Sequence, residues 1–409
     1  MKLAQLSILL ALAFSQSQGQ ISWTPVNNGL GSDTLVRALI VDGSGNLFVG
    51  TGEGGYRSTN HGNLWSALIP PGTIEVQTLA LDANHLYAGT SHGMFLSTDA
   101  GTNWAAINNN FPDDLVLAIT INGAGHVYAG TDLSGLFRST DFGANWSQLT
   151  NGLTSANMTT LAYRSPSTIF AGTDDSGMYV STNNGDNWKL SDSGLGDLLI
   201  RSITLGLSNN IFVGTNTGGI YRSTNTGQSW EAVNSNLSNL SVVSLCTHRN
   251  GDLYAGTSGG GVFRSTDNGA TWSETNSGLT NLFVYALAVD SIGQIYAGTA
   301  GGGVFRTAQP TGVTPAHGPT LPNSYALFQN YPNPFNPTTT IRYSLPTSSR
   351  VVMTIFDVLG QTAAKLVDEE QGPGIHDVSY DASRLSSGIY FYQLHAGDFV
   401  STKKLVLLR

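Results

Sequence analysis

The stretch "RSTDNGATW" at residues 264–272 decides the fold, because five close variants of it precede it in the chain. All six copies follow the pattern Ser-x-Asp/Asn-x-Gly-x-x-Trp and end at tryptophans 65, 104, 146, 188, 230 and 272. These tryptophans are spaced by 39 residues once and by 42 residues four times. A fixed period of this length indicates a repeat protein in which each repeat is one supersecondary unit.

Each period contains four short segments with strand character. In the sixth repeat these are "VVSLCT", "GDLYAGT", "GGVFRSTD" and, after the motif, "WSETNSGL". No segment keeps a helical period for long enough to compete with this interpretation. Four short strands joined by turns, repeated every 42 residues, predict one blade of a β-propeller per repeat.

The repeated motif has a structural explanation. We expect its Asp or Asn to bond the backbone two residues on, its Gly to supply a positive φ, and its Trp to anchor the outer strand. These residues resemble the Asp-box of the sialidase-like propellers, which implies a fold-stabilising hairpin away from the ligand site. The motif residues concerned are Asn60, Trp65, Asp99, Trp104, Asp141, Trp146, Asn183, Trp188, Asn225, Trp230, Asp267 and Trp272.

The chain contains six copies of the motif, but its strand pattern predicts a seventh blade that lacks the motif. After the sixth motif, residues 281–307 supply three more strands and then end in "AQPTG" instead of another motif. The missing strand lies at the N-terminus, where "WTPVNNGL" (23–30) matches "WSQLTNGL" (146–153). The prediction is therefore an all-β, seven-bladed β-propeller over residues 20–307, whose last blade is closed by residues 21–30.

The segments that flank the propeller have other characters. Residues 1–19 combine Lys2, an apolar run over 6–14 and the small residues Ser17 and Gly19, as in a cleaved signal peptide. Residues 308–322 are rich in proline and predict a linker. No later segment is apolar enough to predict a transmembrane helix.

Residues 323–409 predict a second domain, an Ig-like β-sandwich. The segments "YPNPFNP" (331–337), "FDVLG" (356–360) and "SGIY" (387–390) and the closing Lys403 and Lys404 resemble the type A C-terminal sorting domain of the type IX secretion system. The resemblance implies a signal that includes Gly388 and Tyr390, recognition by the type IX translocon as partner, and passage through the periplasm. It also implies secretion or location at the outer-membrane surface. An ordinary accessory sandwich is the alternative.

Composition excludes several classes of function. A net charge of −9 and a pI near 5.2 argue against a nucleic-acid partner. Eight scattered histidines and one cysteine, Cys246, give no zinc spacing, and the motif turns lack the alternating oxygen ligands of a calcium loop. We therefore expect no metal and no cofactor, with a rim calcium site at Asp132, Asp174 and Asp175 as a lesser alternative. Cys246 lies in a strand and predicts a buried thiol.

Propeller ligands usually bind at one end of the central channel, so residues that differ between blades at equivalent positions are the candidates. Near the start of each first strand the chain places Arg37, Gln77, Leu117, Thr159, Arg201, Val243 and Tyr285. In the loops between second and third strands the varying residues include Glu53, His92, Asp132, Asp174 and Asp175. The predicted ligand-binding residues are Arg37, Gln77, Arg201, Tyr285, Glu53, Asp132, Asp174 and Asp175.

These candidates favour a non-catalytic protein that binds an extracellular glycan or a protein through its loop face. A sialidase would need three arginines and a glutamate beside the nucleophilic tyrosine, and no Glu is placed to activate Tyr285. A glycoside hydrolase or lyase would need converging carboxylates, which the sequence leaves open among Glu53, Asp132, Asp174 and Asp175. A structural surface or adhesion component is the third possibility. The sequence does not decide enzymatic activity and favours its absence.

Overall fold

The computed structural model describes residues 21–32, 34–69, 75–82, 85–290, 292–307, 325–327, 330, 333, 335–372, 374–397 and 399–407. The predicted signal peptide and linker lie outside these residues, as do Tyr331, Pro332 and Pro334 of the sorting motif. The chain divides into two compact units, Met1–Thr311 and Gly312–Arg409.

The first unit consists of seven four-stranded antiparallel sheets, one for each blade. The first strands of neighbouring blades contact one another around the ring, so they form its inner wall. They are β2 (Val36–Val41), β6 (Val76–Leu81), β10 (Val116–Ile121), β14 (Met158–Arg164), β18 (Ile200–Leu205), β22 (Val242–Thr247) and β26 (Val284–Val289). The second strands are β3 (Leu47–Thr51), β7 (Leu86–Thr90), β11 (Val127–Thr131), β15 (Thr168–Thr173), β19 (Ile211–Thr215), β23 (Leu253–Thr257) and β27 (Ile295–Thr299).

The third strands and the outer strands complete each sheet. The third strands are β4 (Gly54–Ser58), β8 (Gly93–Ser97), β12 (Leu136–Ser139), β16 (Met178–Ser181), β20 (Ile220–Ser223), β24 (Val262–Ser265) and β28 (Gly303–Thr307). The outer strands are β5 (Ser66–Ile69), β9 (Ala105–Ala106), β13 (Ser147–Leu149), β17 (Lys189–Leu190), β21 (Glu231–Ala232), β25 (Ser273–Glu274) and β1 (Trp23–Pro25). One 3₁₀ turn, Leu207–Asn209, joins the first two strands of the fifth blade.

The N-terminal strand closes the ring. Strand β1 pairs antiparallel with β28, with Trp23 opposite Thr307 and Pro25 opposite Phe305. The seventh sheet therefore combines strands from both ends of the propeller sequence. Pro25 is tolerated because β1 is the outermost strand of its sheet, where one row of backbone groups has no strand partner. The predicted fold class, a seven-bladed propeller, is confirmed.

A glycine near the end of every second strand lets neighbouring blades approach closely. An added Cβ at these glycines would lie 2.5–2.8 Å from the first buried side chain of the next blade. The series closes on itself, because Gly298 of the seventh blade meets Val36 of the first. Glycine is therefore required there for packing between blades. These residues are Gly50, Gly89, Gly130, Gly172, Gly214, Gly256 and Gly298.

The repeated motif forms a tight hairpin between third and outer strands. In the sixth copy, Ser265 Oγ donates to Asp267 Oδ1 (2.7 Å) and accepts from the backbone N–H of Gly269 (2.9 Å). Asp267 Oδ1 also accepts from the backbone N–H of Thr271, four residues on, and not two residues on as the sequence predicted. Gly269 has the predicted positive φ, and Asn268 before it has one too. Two successive left-handed residues turn the chain so sharply that the fourth amide, not the second, faces the carboxylate.

The motif tryptophans connect neighbouring blades. The Trp272 indole donates to the carbonyl of Val233 in the preceding blade (2.8 Å). Trp65, Trp146 and Trp230 also donate to a carbonyl of the preceding blade. Trp23 donates in the same way to Thr275 O (2.5 Å), although it belongs to no copy of the motif. Trp104 and Trp188 instead donate to a glycine carbonyl of their own motif.

The second unit is a β-sandwich of seven strands. One sheet has the order β29 (Ala326–Leu327), β30 (Thr338–Leu345), β33 (Gly374–Asp381), and the other has the order β32 (Thr362–Gln371), β31 (Ser349–Phe356), β34 (Gly388–Ala396), β35 (Phe399–Leu407). Buried side chains of both sheets form a single hydrophobic core, which includes Tyr343, Met353 and Leu394. Strands that alternate between buried and exposed positions produce this arrangement.

Candidate functional site

The loops between second and third strands lie at the same edge of the ring as the connections into the first strands. In successive blades the last loop glycine donates its N–H to a connection residue of the next blade, as Gly135 does to Ala156 O (2.7 Å) and Gly177 to Leu198 O (3.0 Å). We call this edge the mouth. The motif hairpins join the other ends of the third strands, so they lie away from the mouth.

All seven ring positions predicted from the sequence are β-bulges. In the first blade Val36 pairs with Thr51 and Ala38 with Gly50, so Arg37 is left unpaired between them. The same shift occurs at Gln77, Leu117, Thr159, Arg201, Val243 and Tyr285. A bulge kinks the strand and redirects the side chain of its extra residue. Arg201 and Tyr285 are exposed, and the other five are half-buried.

The guanidinium of Arg37 is engaged by a residue that the sequence did not single out. Its Nη2 lies 2.6 Å from Glu75 Oε1, which immediately precedes the first strand of the second blade. Both side chains are about one-third exposed, so this ion pair is partly screened by solvent. The pair neutralises one of the two arginines on which an anion site would depend. Aligning the residues before each first strand would have revealed Glu75.

Two predicted acidic residues meet at one amide. Asn157 Nδ2 donates to Asp132 Oδ1 (2.9 Å) of the third blade and to Asp174 Oδ2 (2.7 Å) of the fourth. Burial, followed by the charges of Asp175 and Asp132, raises the pKa of Asp174, and the nearby Arg201 partly opposes this shift. Asn157 occupies the same position before its strand as Glu75, and the sequence analysis missed it for the same reason.

The remaining candidates are distributed around the mouth. Arg201 donates to Asn216 Oδ1 of its own blade (3.1 Å from Nη2). The Glu53 side chain is exposed in the first-blade loop, where its backbone N–H donates to Thr51 Oγ1 (3.2 Å). Gln77 is half-buried in the second blade, and Tyr285 stands in the seventh, 36% exposed. The structure thus groups Asp132, Asp174, Asp175 and Arg201 and leaves Arg37, Gln77, Glu53 and Tyr285 elsewhere on the ring.

The mouth is acidic. Most arginines of the propeller lie towards the motif side, where Arg138, for example, donates to Asn184 O (2.9 Å) of the next blade. Among the described Lys and Arg side chains of the propeller, only Arg37 and Arg201 occupy mouth positions. The carboxylates of its described loops and connections include Glu53, Glu75, Asp113, Asp114, Asp132, Asp174, Asp175, Asp192 and Asp197. Such a surface attracts cationic groups and repels anionic ones.

The arrangement limits the chemistry of the site. Within the described part of the chain, no group of three or more His, Cys, Asp or Glu side chains is placed to hold a metal ion. A groove of about 750 Å³ lies at the outer edge between the fourth and fifth blades. Motif and outer-strand residues such as Trp188, Leu190 and Gln228 line it. Trp188 packs in one hydrophobic cluster with Tyr128 of the third blade and Tyr179 of its own blade, which gives it a structural explanation.

Comparison with known families adds two findings. Residues 10–122, 97–199 and 200–341 match the DUF6242 beta propeller domain, and residues 329–408 match the secretion system C-terminal sorting domain. No curated protein matches the chain in sequence. No helix among the described residues is long and apolar enough to cross a membrane.

Several solved structures share the propeller fold. The extracellular domain of a hybrid two-component system from B. thetaiotaomicron is 16% identical, with a TM-score of 0.61 over 79% of this chain and 45% of its own. PorZ, an essential surface component of the type IX secretion system of Porphyromonas gingivalis, is 16% identical, with a TM-score of 0.52 over 92% and 60%. YCF48 bound to D1 peptide is 15% identical, with a TM-score of 0.58 over 71% and 97%. The chain thus spans about half the length of the first two, and these likenesses concern the fold.

Proposed function

The chain belongs to the DUF6242 beta propeller family, and we propose that it is an exported protein whose propeller binds an extracellular partner through the mouth without catalysing a reaction. One observation carries this proposal. The seven blades share their packing glycines and motif hairpins, but at the mouth a bulge presents a different side chain in nearly every blade. Side chains that differ from blade to blade at equivalent, redirected positions of a uniform scaffold are typical of a binding face.

Export is the second element of the proposal. The sorting domain supports delivery to the cell surface or secretion, with the type IX translocon as partner. Lys403 and Lys404 lie on β35 opposite Tyr392 and Phe391 of β34, and Gly388 begins β34. Tyr390 is 8% exposed and donates to Ser386 O (2.9 Å), so it fixes the turn before β34. We propose that these adjacent strands present the sorting signal.

The relationship to the sialidase-like propellers also belongs to this proposal. It is supported by hairpins such as Ser97–Asp99–Gly101, in which Ser97 Oγ donates to Asp99 Oδ1 (2.8 Å) and accepts from Gly101 N–H (2.8 Å). The hairpins stabilise the junction between the third and outer strands, and the ligand binds at the mouth. Its proposed contacts are Arg37, Gln77, Arg201, Tyr285, Glu53, Asp132, Asp174 and Asp175.

A polysaccharide hydrolase is the second candidate. The observation that favours it is the meeting of Asp132 and Asp174 at one amide nitrogen, with the pKa of Asp174 raised chiefly by burial. General acid catalysis uses a carboxyl group with a raised pKa, and glycoside hydrolysis pairs it with a second carboxyl group. Release of reducing sugar from a polysaccharide by the full chain, lost in Asp174→Asn, would replace the binding proposal with this one.

The test of the binding proposal compares the full chain with a mouth variant, Arg201→Ala/Tyr285→Ala, on glycan and peptide arrays. The control variant Lys189→Ala alters an exposed cation on an outer strand. We expect binding that the mouth variant loses and the control keeps. Binding that both variants retain would place the ligand elsewhere and contradict the proposal.

A further inference from the structure

Large apolar side chains are exposed along one side of the mouth. They belong to the connections and first strands of the fifth, sixth and seventh blades and form what we call the apolar arc: Leu198, Leu240, Leu282, Phe283 and Tyr285. Their exposed fractions are 39%, 40%, 38%, 47% and 36%. Single exposed leucines need no explanation, but a row contributed by three consecutive blades marks an interaction surface.

The arc is exposed because the adjacent loops are short of side chains. The loops that pack against Leu240 and Leu282 read "TNTGG" and "TSGGG", so nothing larger than Asn or Thr lies beside these two leucines. Leu198 packs against Gly177 at the end of the fourth-blade loop "TDDSG". Phe283 lies over Gly259, where an added Cβ would be 3.4 Å from its ring. Glycine therefore keeps this part of the mouth low and open.

Backbone and side-chain hydrogen bonds hold the arc in place before any partner binds. The carbonyl of Leu282 accepts from the N–H groups of Gly259 (3.1 Å) and Gly261 (2.9 Å). Asn281 accepts from Phe283 N–H (2.9 Å) and donates to Ala300 O (2.8 Å). A surface fixed in this way loses little conformational entropy on association.

The adjoining part of the mouth is acidic. We call the residues Asp113, Asp132, Asp174 and Asp175, of the third and fourth blades, the acidic arc. Asp113 is 81% exposed at its side chain. Leu133, 74% exposed, stands beside Asp132 within this arc. Arg201, the cation next to the acidic arc, donates to Asn216. The mouth therefore presents exposed carboxylates on the third and fourth blades and apolar surface on the next three blades, where the carboxylate of Asp197 accepts hydrogen bonds from Thr217 and Gly218.

We propose that the mouth binds an extended segment of a partner polypeptide, with Leu- or Phe-type side chains on the apolar arc and Lys or Arg side chains on the acidic arc. This inference rests on the proposed function and deepens it. Charge complementarity selects a cationic partner, since nucleic acids and anionic membrane surfaces would be repelled. Glycans lack the apolar side chains that five exposed hydrophobic residues would cover.

The probe is a fluorescein-labelled dodecapeptide with two leucines and a phenylalanine in one half and three lysines in the other. Its binding to the full chain is measured by fluorescence anisotropy. Two variants divide the surface: Asp132→Asn/Asp174→Asn removes two charges of the acidic arc, and Leu240→Ser/Leu282→Ser removes two side chains of the apolar arc. In the first variant an Asn oxygen still accepts from Asn157, so the fold is retained.

Matched controls alter the same chemistry elsewhere. Glu369→Gln/Glu370→Gln removes two charges from exposed positions of the second unit, and Leu207→Ser removes a 54% exposed leucine from the opposite edge of the propeller. We expect each mouth variant to raise the Kd about tenfold or more and each control to leave it unchanged within a factor of two. Added salt weakens binding of the wild type more than that of the Asn variant.

Four outcomes would overturn the inference, and the first three concern where and what the mouth binds. They are binding that responds equally to mouth and control variants, peptide binding absent at millimolar concentration, and a glycan ligand on an array whose binding the mouth variants abolish. The third would leave the proposed function standing, with a different ligand class. If the wild-type chain binds neither peptides nor glycans at the mouth, both proposals are contradicted. Binding of a peptide with glutamates in place of the lysines, at equal affinity, would also overturn the charge argument.

Discussion

Replacing Trp23 with alanine tests whether the N-terminal strand closes the ring. Trp23 is 3% exposed and packs in one cluster with Tyr254, Leu279 and Phe305. Its indole donates to Thr275 O (2.5 Å) and its backbone N–H to Ser277 O (2.7 Å). Truncating a buried tryptophan costs roughly 3–5 kcal/mol, because the transfer energy is lost and a cavity remains. For a propeller of this size we expect the melting temperature to fall by up to about 10 °C.

Tryptophan fluorescence is a suitable assay, because all seven tryptophans of the chain lie between residues 23 and 272 and report on the propeller alone. The matched control is Trp272→Ala, since Trp272 is also 3% exposed and donates to a carbonyl of the preceding blade. The two variants should lose equal free energy of unfolding within about 1 kcal/mol. Hydrogen exchange should also accelerate in β28, the strand that pairs with β1. A Trp23→Ala loss below about 1 kcal/mol would refute the closure argument.

Three further predictions concern the packing and charges of the propeller. Gly256→Ala places a Cβ 2.8 Å from Val284 of the next blade and should lower the free energy of unfolding by about 1–3 kcal/mol in denaturant titrations. Hydrogen bonds from Asn103, first its backbone N–H and then its side chain, and from Ser97 lower the pKa of Asp99 to about 2. The stability that this carboxylate provides is present above pH 3.8 and is lost as the pH falls towards 2. The melting temperature of Asp99→Asn should therefore depend less on pH over that range than the melting temperature of the wild type. The raised pKa of Asp174 has the opposite sign: its ionisation destabilises the fold, so Asp174→Asn should raise the melting temperature at pH 7 and leave it unchanged in acid, and an increase that persists at pH 3 would contradict this.

The repeated sequence contains most of the fold. Six tryptophans at a fixed period and the match between residues 23–30 and 146–153 were enough to predict seven blades and an N-terminal closing strand. Each repeat is a local unit, so its strands and turns follow from nearby residues. The predicted partner of the motif Asp was wrong: its side chain accepts from the amide four residues on and not from the amide two residues on. Two consecutive left-handed residues tighten the hairpin beyond a simple Asx turn.

The mouth could be predicted only in part. Equivalent positions in the repeats identified the seven bulged residues, Arg37 and Tyr285 among them, because the repeat fixes their place in the ring. The partners across blades were missed: Glu75 with Arg37, and Asn157 with two aspartates. Comparing the residues that precede each first strand identifies Glu75 and Asn157 as departures from the repeat, but their contacts across blades depend on how neighbouring blades pack in the folded ring. The exposure of the apolar arc depends likewise on the size of the side chains in the loops that pack beside it.

Site-specific photocrosslinking tests most directly the claim that the mouth is the binding face. The photoreactive residue p-benzoylphenylalanine is placed at Tyr285, in the mouth, or at Leu207, at the opposite edge, in the full chain produced by cells that export it. Both positions are exposed, so both probes reach solvent. We predict a discrete adduct from position 285 and none from position 207. Adducts from position 207 alone, or of equal yield from both positions, would contradict the claim.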